Sequence, residues 1–385
     1  MKKKLLRLLS YILVAALASA TTWALTYEEV PPHKAKLDQL ENLIQEKFIG
    51  EADTVAMADG AAAGMIASLG DRWSYYISAA EYAAYEEQMD NAYVGIGVTI
   101  RLADDDSGFL IIKVNENGPA EEAGLLAGDI IVGVEGQNVV GWSTDAVRDL
   151  VRGEEGTFVQ ITVLRGSEEI TFPVERKTVL VPVVESRLLC GHIGYVKIAN
   201  FDRRCAEEAK AAIESMLDQG ADMLLFDVRY NPGGYADELV NVLDYLLPEG
   251  ELFRTVNYAG KEEVDMSDAE CVELPMAVLV NGDSYSAAEF FAAALREYEV
   301  AVIIGQPTVG KGYFQRTYKL KDGSAAAISE GKYFTPKGVS LAEVGGIVPD
   351  ITVEVSDDEA FEIYAGTLDP MEDPQVLAAI AELEK

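Results

Sequence analysis

The sequence contains very little histidine and cysteine. Only His33 and His192 occur in 385 residues, so a catalytic triad based on histidine and a histidine-rich zinc site are both disfavoured. The three cysteines, Cys190, Cys205 and Cys271, are far apart and odd in number, which excludes a recognisable disulfide framework or CxxC metal site. We interpret them as small core residues and expect no metal and no cofactor.

Positive charge is also scarce. The chain carries 31 lysine and arginine residues against 65 aspartate and glutamate residues, a formal net charge of -34 at pH 7. Nucleic-acid binding needs cations clustered against phosphate, so this balance excludes a nucleic-acid partner. With 49% apolar and 25% charged residues, the composition is that of a globular protein, and the acidic excess is interpreted as a solubility feature.

The first residues have the features of an export signal. Three lysines follow the first methionine and precede an apolar run, residues 5–25, in which Arg7 is the only charge. Ala18–Ala20 fits a small-residue cleavage site, yet the run approaches the roughly 20 residues that span a bilayer. Residues 1–26 are therefore a signal peptide or a membrane anchor, and both interpretations stay open. In either case the remainder is predicted to be extracytoplasmic, in the cell envelope or secreted.

Residues 27–92 are predicted to form a helical N-terminal region. Apolar residues recur at helical spacing from Leu37 to Phe48, and a second helix-like stretch runs from Thr54 to Leu69. An exposed apolar helix face packs within its own chain or against a partner. Internal packing and a homodimer through this region are the two interpretations, and the sequence does not decide between them.

Short β-type runs, including Val94–Ile100, follow this region. The motif Gly-Pro-Ala-Glu-Glu-Ala-Gly-Leu-Leu-Ala-Gly-Asp-Ile-Ile at residues 118–131 resembles part of a PDZ domain, and the resemblance covers residues 93–177. It places the carboxylate-binding loop at Gly95, Ile96, Gly97 and Val98. Backbone N–H groups there would receive a peptide's C-terminal carboxylate while the peptide adds a strand to the sheet. The alternative is that these glycines only shape a turn.

Apolar strands alternate with helices between residues 178 and 355, an order that predicts a sheet covered by helices. Three strands lead into loops of unusual composition, at residues 227–234, 281–289 and 308–315. Ligand sites in such folds lie where strands are followed by helices, so we expect all three loops to contribute to one site. The last segment, residues 356–385, is expected to pack on the N-terminal region or on this core.

Each loop has an ordinary interpretation as well as a chemical one. The Pro-Gly-Gly of the first loop is a plain turn or a source of N–H groups for an oxyanion. Ser286 is a helix N-cap or a nucleophile, with Ser284 as a competing candidate. Lys311 is a solvated cation or the base that a serine nucleophile needs in a chain with almost no histidine. Serine–lysine pairs are a known variant of the triad, and they require a neutral lysine.

With these loops in place, the chain resembles a carboxyl-terminal processing peptidase, or tail-specific protease, of serine peptidase family S41. The resemblance runs from about Leu37 to the Asp-Pro-Gln at 373–375. In that family a serine-rich turn ending in glutamate carries the nucleophile, and a Gly-Lys-Gly loop carries the base 25 positions later. Here 311 − 286 = 25, which selects Ser286 over Ser284 and makes Lys311 the base.

The same resemblance implies further roles. Gln315 would orient the lysine amine by a hydrogen bond, and Gly233 with the backbone N–H of Ala287 would form the oxyanion hole. Two positions depart from the family pattern: Tyr285 stands where a small residue is usual, and Ala288 replaces a common serine. Neither removes a catalytic group, and the bulk of Tyr285 bears on substrate access.

Arg152 is a regulatory candidate, because the PDZ domain of the family carries a matching arginine near its domain interface. The alternative is an exposed cation at the end of a helix, where the helix dipole favours positive charge. The two interpretations stay open.

The resemblance implies a multidomain protein of the α/β and β classes. It comprises the helical N-terminal region, a PDZ-like β domain and an α/β peptidase core of crotonase- or ClpP-like fold. The expected activity is that of an exported serine endopeptidase acting on proteins or peptides with accessible C-termini, which the PDZ-like domain recognises while regulating the cleft. Two alternatives are a silent PDZ scaffold and an acyl-transfer enzyme on a crotonase-like core. The first predicts a damaged dyad and the second a Gly-rich coenzyme loop, and the sequence shows neither.

Overall fold

The computed structural model describes residues 32–385 apart from residues 104 and 116. The predicted signal peptide or anchor, residues 1–26, lies outside the described residues. Among the helices that are described, none is long and apolar enough to cross a membrane. The chain divides into two units, Met1–Leu69 and Gly70–Lys385.

The first unit contains helices α1 (Pro32–Lys47) and α2 (Thr54–Ala67), close to the two helices predicted from the apolar spacing. Asp53 caps α2 by accepting two backbone N–H bonds of the first turn, at 2.9 and 3.1 Å. Several apolar side chains of this unit are largely exposed: Leu40, Leu43, Phe48 and Met65.

Residues 92–180 of the second unit form a β module. Its elements are β2 (Ala92–Gly95), β3 (Val98–Leu102), β4 (Phe109–Val114), α4 (Pro119–Ala123), β5 (Ile130–Val134), β6 (Gln137–Asn138), α5 (Thr144–Val151), β7 (Phe158–Arg165), β8 (Glu168–Glu175) and β9 (Lys177–Leu180). The main sheet has the order β3-β4-β5-β7-β8, with β6 on β5, while β2 pairs separately with β9. The predicted run Val94–Ile100 is thus two strands, because Gly97, at φ +73°, breaks the extended backbone.

The core of the second unit comprises β10 (Val184–Leu189), β11 (Ile193–Ile198), α6 (Cys205–Asp218), β12 (Met223–Asp227), α7 (Ala236–Leu246), β15 (Met276–Val280), α8 (Ala287–Glu297), β16 (Ala301–Gly305), α9 (Leu341–Val344), β19 (Ile351–Thr352), α10 (Asp357–Ala365) and α11 (Pro374–Leu383). Its six-stranded sheet has the order β10-β11-β12-β15-β16-β19 and is parallel except for β10. Both faces are buried, as alternation along β12 shows: Leu224 and Phe226 pack with α6, α7 and α8, whereas Leu225 packs with α11. The C-terminal segment therefore lies on the core sheet.

An antiparallel sheet flanks the core. It contains β1 (Tyr75–Ile77), β13 (Gly250–Asn257), β14 (Glu262–Ser267), β17 (Tyr313–Lys319) and β18 (Ala325–Phe334). β1 pairs with β18 and is followed by α3 (Ala79–Met89), so residues 27–92 are not entirely helical. The Tyr-Tyr-Ile sequence of β1 suits a strand.

The predicted fold class, an α/β and β multidomain protein, is confirmed. The interpretation of the cysteines as core residues holds only in part. Cys205 is buried, Cys271 is partly exposed and Cys190 is exposed, because Cys190 lies in the turn between β10 and β11 at φ +51°.

Candidate active site

The three loops predicted to form one site do meet. They leave β12, β15 and β16 at the same end of the parallel sheet and border a cleft of about 820 Å³. Gly233, Ser286, Lys311 and Gln315 all line it. Among the described residues no group of three or more histidine, cysteine, aspartate or glutamate side chains is placed to hold a metal ion.

Ser286 sits at the tip of the turn between β15 and α8. Its backbone has φ +60° and ψ −122°, a strained conformation for a residue other than glycine. Ser286 stands at the N-cap position of α8, and its backbone N–H donates to the Glu289 carboxylate at 3.1 Å, so the capping and the nucleophilic interpretations both stay open. Ser284 is fully buried, and its Oγ donates to the Val228 carbonyl at 2.7 Å. Ser286, rather than Ser284, therefore faces the cleft.

Glu289 joins the serine loop to the lysine loop. Its carboxylate is fully buried and accepts four hydrogen bonds: from the Ser286 N–H (3.1 Å), the Lys311 N–H (3.0 Å), the Gly310 N–H (2.6 Å) and the Thr308 hydroxyl (2.5 Å). Hydrogen bonds to a carboxylate are among the stronger ones in proteins. The sequence showed Glu289 only as the end of a motif, because three of its four partners lie about twenty residues further along the chain.

Lys311 carries an amine without an ionic partner. In the part of the chain that the structure describes, its Nζ makes no hydrogen bond or ion pair, and it lies 4.8 Å from the centre of the Trp73 ring. Burial lowers the pKa of Lys311 to about 8, although the negative charges of Asp71 and Glu289 oppose that fall. A lysine of this kind is partly neutral near physiological pH, as a general base must be.

The loop before β1 supplies a wall of the site that sequence reasoning missed. The Trp73 ring stacks on Tyr285 with ring centres 6.2 Å apart and has the Arg72 guanidinium 4.2 Å from its centre. Asp71 accepts the Ser74 hydroxyl at 2.6 Å. Hydrogen bonds from Ser329 and Ser74 outweigh burial and keep the pKa of Asp71 below its ordinary value. No local pattern links this loop to a lysine more than 200 residues later.

Gln315 lines the cleft but does not bind the lysine amine, contrary to the prediction. Its amide nitrogen donates to the Tyr313 carbonyl and to the Ser329 hydroxyl, both at 3.1 Å. The cause is strand pairing, since Gln315 and Ser329 are directly opposed across β17 and β18.

Gly233 and Ala287 flank the serine as predicted for an oxyanion hole. A Cβ on Gly233 would lie 2.7 Å from the Ser286 Cβ, and with φ +95° only glycine suits this position. The Gly233 N–H donates to the Asn231 Oδ1 at 2.8 Å, whereas the Ala287 N–H has no acceptor among the described residues. One of the two predicted N–H donors, that of Ala287, is thus free to bind an oxyanion, and the other, that of Gly233, is not. The oxyanion hole itself remains a prediction.

A buried ion pair holds the start of the first loop. Arg229 contacts Asp227 at 2.6 Å and Asp373 at 2.8 Å, and its guanidinium also donates to the Gln375 side chain at 2.9 Å. Although burial opposes it, the Arg229 charge holds the pKa of Asp227 below its ordinary value. The Asp-Pro-Gln motif of the C-terminal segment therefore anchors the loop that leads to Gly233.

The loop predicted to bind a carboxylate lines an apolar groove of about 260 Å³ between β3 and α5, bordered also by Ile131 and Val151. The backbone N–H groups of Ile96 and Gly97 donate to no acceptor among the described residues. Free N–H groups at one end of an apolar groove are what a terminal carboxylate and its side chain require.

Arg152 follows α5 at an exposed position. Its guanidinium lies 5.4 Å from the centre of the Tyr93 ring, and it makes no ion pair within the described chain. Its proposed regulatory role stays a prediction.

Arg204 makes contacts at the base of the β module that sequence reasoning missed. It donates to the carbonyls of Asn91 at 3.1 Å and Val181 at 2.8 Å. These residues lie on the two chain segments by which the β module joins the core. The Asn91 and Asn200 side chains also pair, at 2.7 and 3.1 Å. The loop after β11 therefore holds both connections of the module.

Three family models match consecutive parts of the chain. Residues 192–353 match peptidase family S41, residues 94–175 match a PDZ domain, and residues 16–81 match the N-terminal domain of the activating protease CtpB. Fold and site thus define a serine-type peptidase that carries a PDZ domain.

Relatives match nearly the whole chain. The carboxy-terminal processing protease CtpA of Bacillus subtilis is 31% identical over 370 residues, which cover 93% of this chain and 79% of that protein. A CtpA-like serine protease of Staphylococcus aureus is 29% identical over 379 residues, 94% of this chain and 74% of that one. A solved S41 protease structure from Bacteroides fragilis, 18% identical, shares the fold with a TM-score of 0.50 over 89% of this chain and 100% of its own. The chain belongs to the carboxy-terminal processing proteases of peptidase family S41.

Proposed function

We propose that this protease hydrolyses peptide bonds with Ser286 as nucleophile and Lys311 as general base. The observation that carries the proposal is the state of Lys311, a partly buried amine without an ionic partner in the described chain and with a pKa lowered to about 8, on the same cleft as Ser286. A lysine that was a structural cation would instead be paired or solvated.

In the proposed reaction neutral Lys311 takes the proton of the Ser286 hydroxyl as Oγ attacks the substrate carbonyl. The Ala287 N–H, at the start of α8, stabilises the oxyanion, and the Gly233 N–H joins it once it leaves Asn231. The resulting ammonium returns its proton to the leaving amine, and water hydrolyses the acyl-enzyme. Gln315 would orient the amine through its Oε1, since only its Nε2 is used in the bonds to Tyr313 and Ser329.

The PDZ domain is proposed to bind substrate C-termini in the groove at residues 95–98 and to control the cleft. Support comes from the free N–H groups of that loop and from Arg204, which holds both connections of the domain. Phe201, in the same loop as Arg204, donates to the Gly233 carbonyl at 2.7 Å. A movement of the domain would therefore reach the oxyanion loop through one short segment.

Export is proposed from the lysine-flanked apolar run, with membrane attachment if residues 1–26 are retained. A homodimer is proposed from the exposed apolar side chains of α1 and α2, such as Leu43, which is 55% exposed. Fractionation of cells and light scattering of the purified protein test these two points.

The catalytic proposal is tested by degradation of an unfolded casein substrate. Ser286→Ala and Lys311→Ala should each abolish cleavage. Lys319→Ala is the matched control, because the Lys319 Nζ also lies on an aromatic ring, 4.5 Å from the centre of Tyr82, yet is not part of the dyad. It should cleave like the wild type, and full activity in either dyad variant would refute the assignment.

A further inference from the structure

Asp202 is a buried carboxylate on the wall of the catalytic cleft. It lies in the loop between β11 and α6, is 3% exposed and lines the same cleft as Ser286. Its Oδ1 has no hydrogen-bond partner among the described residues. A buried carboxylate that lacks partners costs folding free energy, so a ligand that supplies them would bind with advantage.

The charges around Asp202 do not neutralise it. The two following arginines point elsewhere: Arg203 pairs with Asp90 at 2.6 Å, and Arg204 with Glu208 at 2.8 Å. Burial raises the pKa of Asp202 to about 7, and the negative charges of Asp90 and Glu238 add to that rise, while the neighbouring Asn91 amide opposes it. Among the described residues, therefore, no cation forms an ion pair with the Asp202 carboxylate.

The backbone of Asp202 lies beside the loop that carries Gly233 and Gly234. A Cβ on Gly234 would lie 2.8 Å from the Asp202 backbone nitrogen, and the preceding Gly233 touches Ser286. Residues 201–202 thus run beside the oxyanion loop. A substrate strand lying along that loop presents alternate side chains to the cleft wall.

We propose that Asp202 is a specificity-determining residue that binds the cationic side chain of a substrate lysine or arginine close to the scissile bond. The charged hydrogen bond would give Asp202 the partner it lacks, and an arginine could bind it with two parallel bonds. This inference rests on the proposed function, because it assigns the substrate class of the same cleft.

The test uses the full-length chain and matched peptides. Bonds cut in an unfolded protein are first mapped by mass spectrometry, and peptides are made around one of them with lysine, norleucine or glutamate at each flanking position in turn. At one position kcat/KM at pH 8 should be about tenfold or more higher for lysine than for norleucine, as expected for a hydrogen bond to a charged group. Asp202→Asn should remove that preference, whereas Glu86→Gln, a carboxylate on the same cleft, should keep it. The preference should also weaken at pH 6, where Asp202 becomes protonated.

A binding measurement separates this proposal from the catalytic one. The same peptides, labelled for fluorescence anisotropy, are titrated into Ser286→Ala, which needs no turnover. Tighter binding of the lysine peptide supports the role of Asp202 even if cleavage proves not to depend on Ser286 and Lys311. Equal affinity and equal kcat/KM for lysine and norleucine at every position overturn it, and this wild-type comparison decides even if Asp202→Asn is unstable.

Discussion

Replacement of Glu289 by glutamine should disable the site without removing either member of the proposed dyad. The carboxylate accepts hydrogen bonds from Ser286, Thr308, Gly310 and Lys311. A glutamine offers one acceptor oxygen, and its NH₂ group would face N–H donors. Two of the four bonds should therefore be lost and the two loops should separate.

The size of the effect follows from those bonds. A hydrogen bond to a charged group contributes about 1.5–3 kcal/mol, so two lost bonds amount to at least about 3 kcal/mol. If that energy keeps Ser286 and Lys311 in their relative positions, its loss should lower kcat at least about a hundredfold, since about 1.4 kcal/mol corresponds to a tenfold change in rate. KM should change little, because Glu289 is buried beneath the cleft and out of reach of substrate.

The assay is steady-state cleavage of a quenched fluorescent peptide, run beside urea unfolding. Glu297→Gln is the matched control: Glu297 ends the same helix and accepts the Thr335 hydroxyl and the Lys337 N–H, both at 2.7 Å, away from the dyad. Both variants should lose stability, but only Glu289→Gln should lose kcat. A kcat for Glu289→Gln within a few-fold of the control would refute the reasoning.

Two further predictions concern the surroundings of the site. Arg229→Met leaves Asp227 and Asp373 buried without their cation and should cost about 3–5 kcal/mol in the free energy of unfolding, measured in urea; a loss below about 1 kcal/mol would show that the pair is not needed. Arg204→Ala should reduce the stimulation of turnover by a C-terminal peptide by about fivefold or more, because it frees both connections of the PDZ domain. If Arg152→Ala reduces the stimulation and Arg204→Ala does not, control runs through α5 instead.

The sequence located the three loops of the site because each carries its own local pattern at the end of a predicted strand. Ser286 and Lys311 followed from that pattern and from their spacing. Trp73 did not, because its place beside Lys311 depends on the pairing of β1 with β18, a contact between residues some 250 positions apart that no local periodicity encodes.

The hydrogen-bond partners of the site residues were the second feature that could not be predicted from the sequence. Gln315 was expected on the lysine amine, but in this structure its Nε2 donates to the Tyr313 carbonyl and to Ser329 across the strand pair. Gly233 was expected to contribute to an oxyanion hole, and in this structure its N–H donates to Asn231, two residues earlier. Residue type and spacing identify which groups reach a site, whereas competition between nearby partners is settled only by the folded geometry.

The pH dependence of covalent modification at the serine tests the central claim most directly. A fluorophosphonate probe should label Ser286 in the wild type, as identified by peptide mapping. The same probe should not label Ser286 in the Lys311→Ala variant. With the pKa of Lys311 near 8, about a tenth of the amine is neutral at pH 7, so the labelling rate should rise about ninefold from pH 6 to 7, about fivefold from pH 7 to 8 and only about twofold from pH 8 to 9. Labelling of another residue, or a rate that does not change between pH 6 and 9, would contradict the dyad.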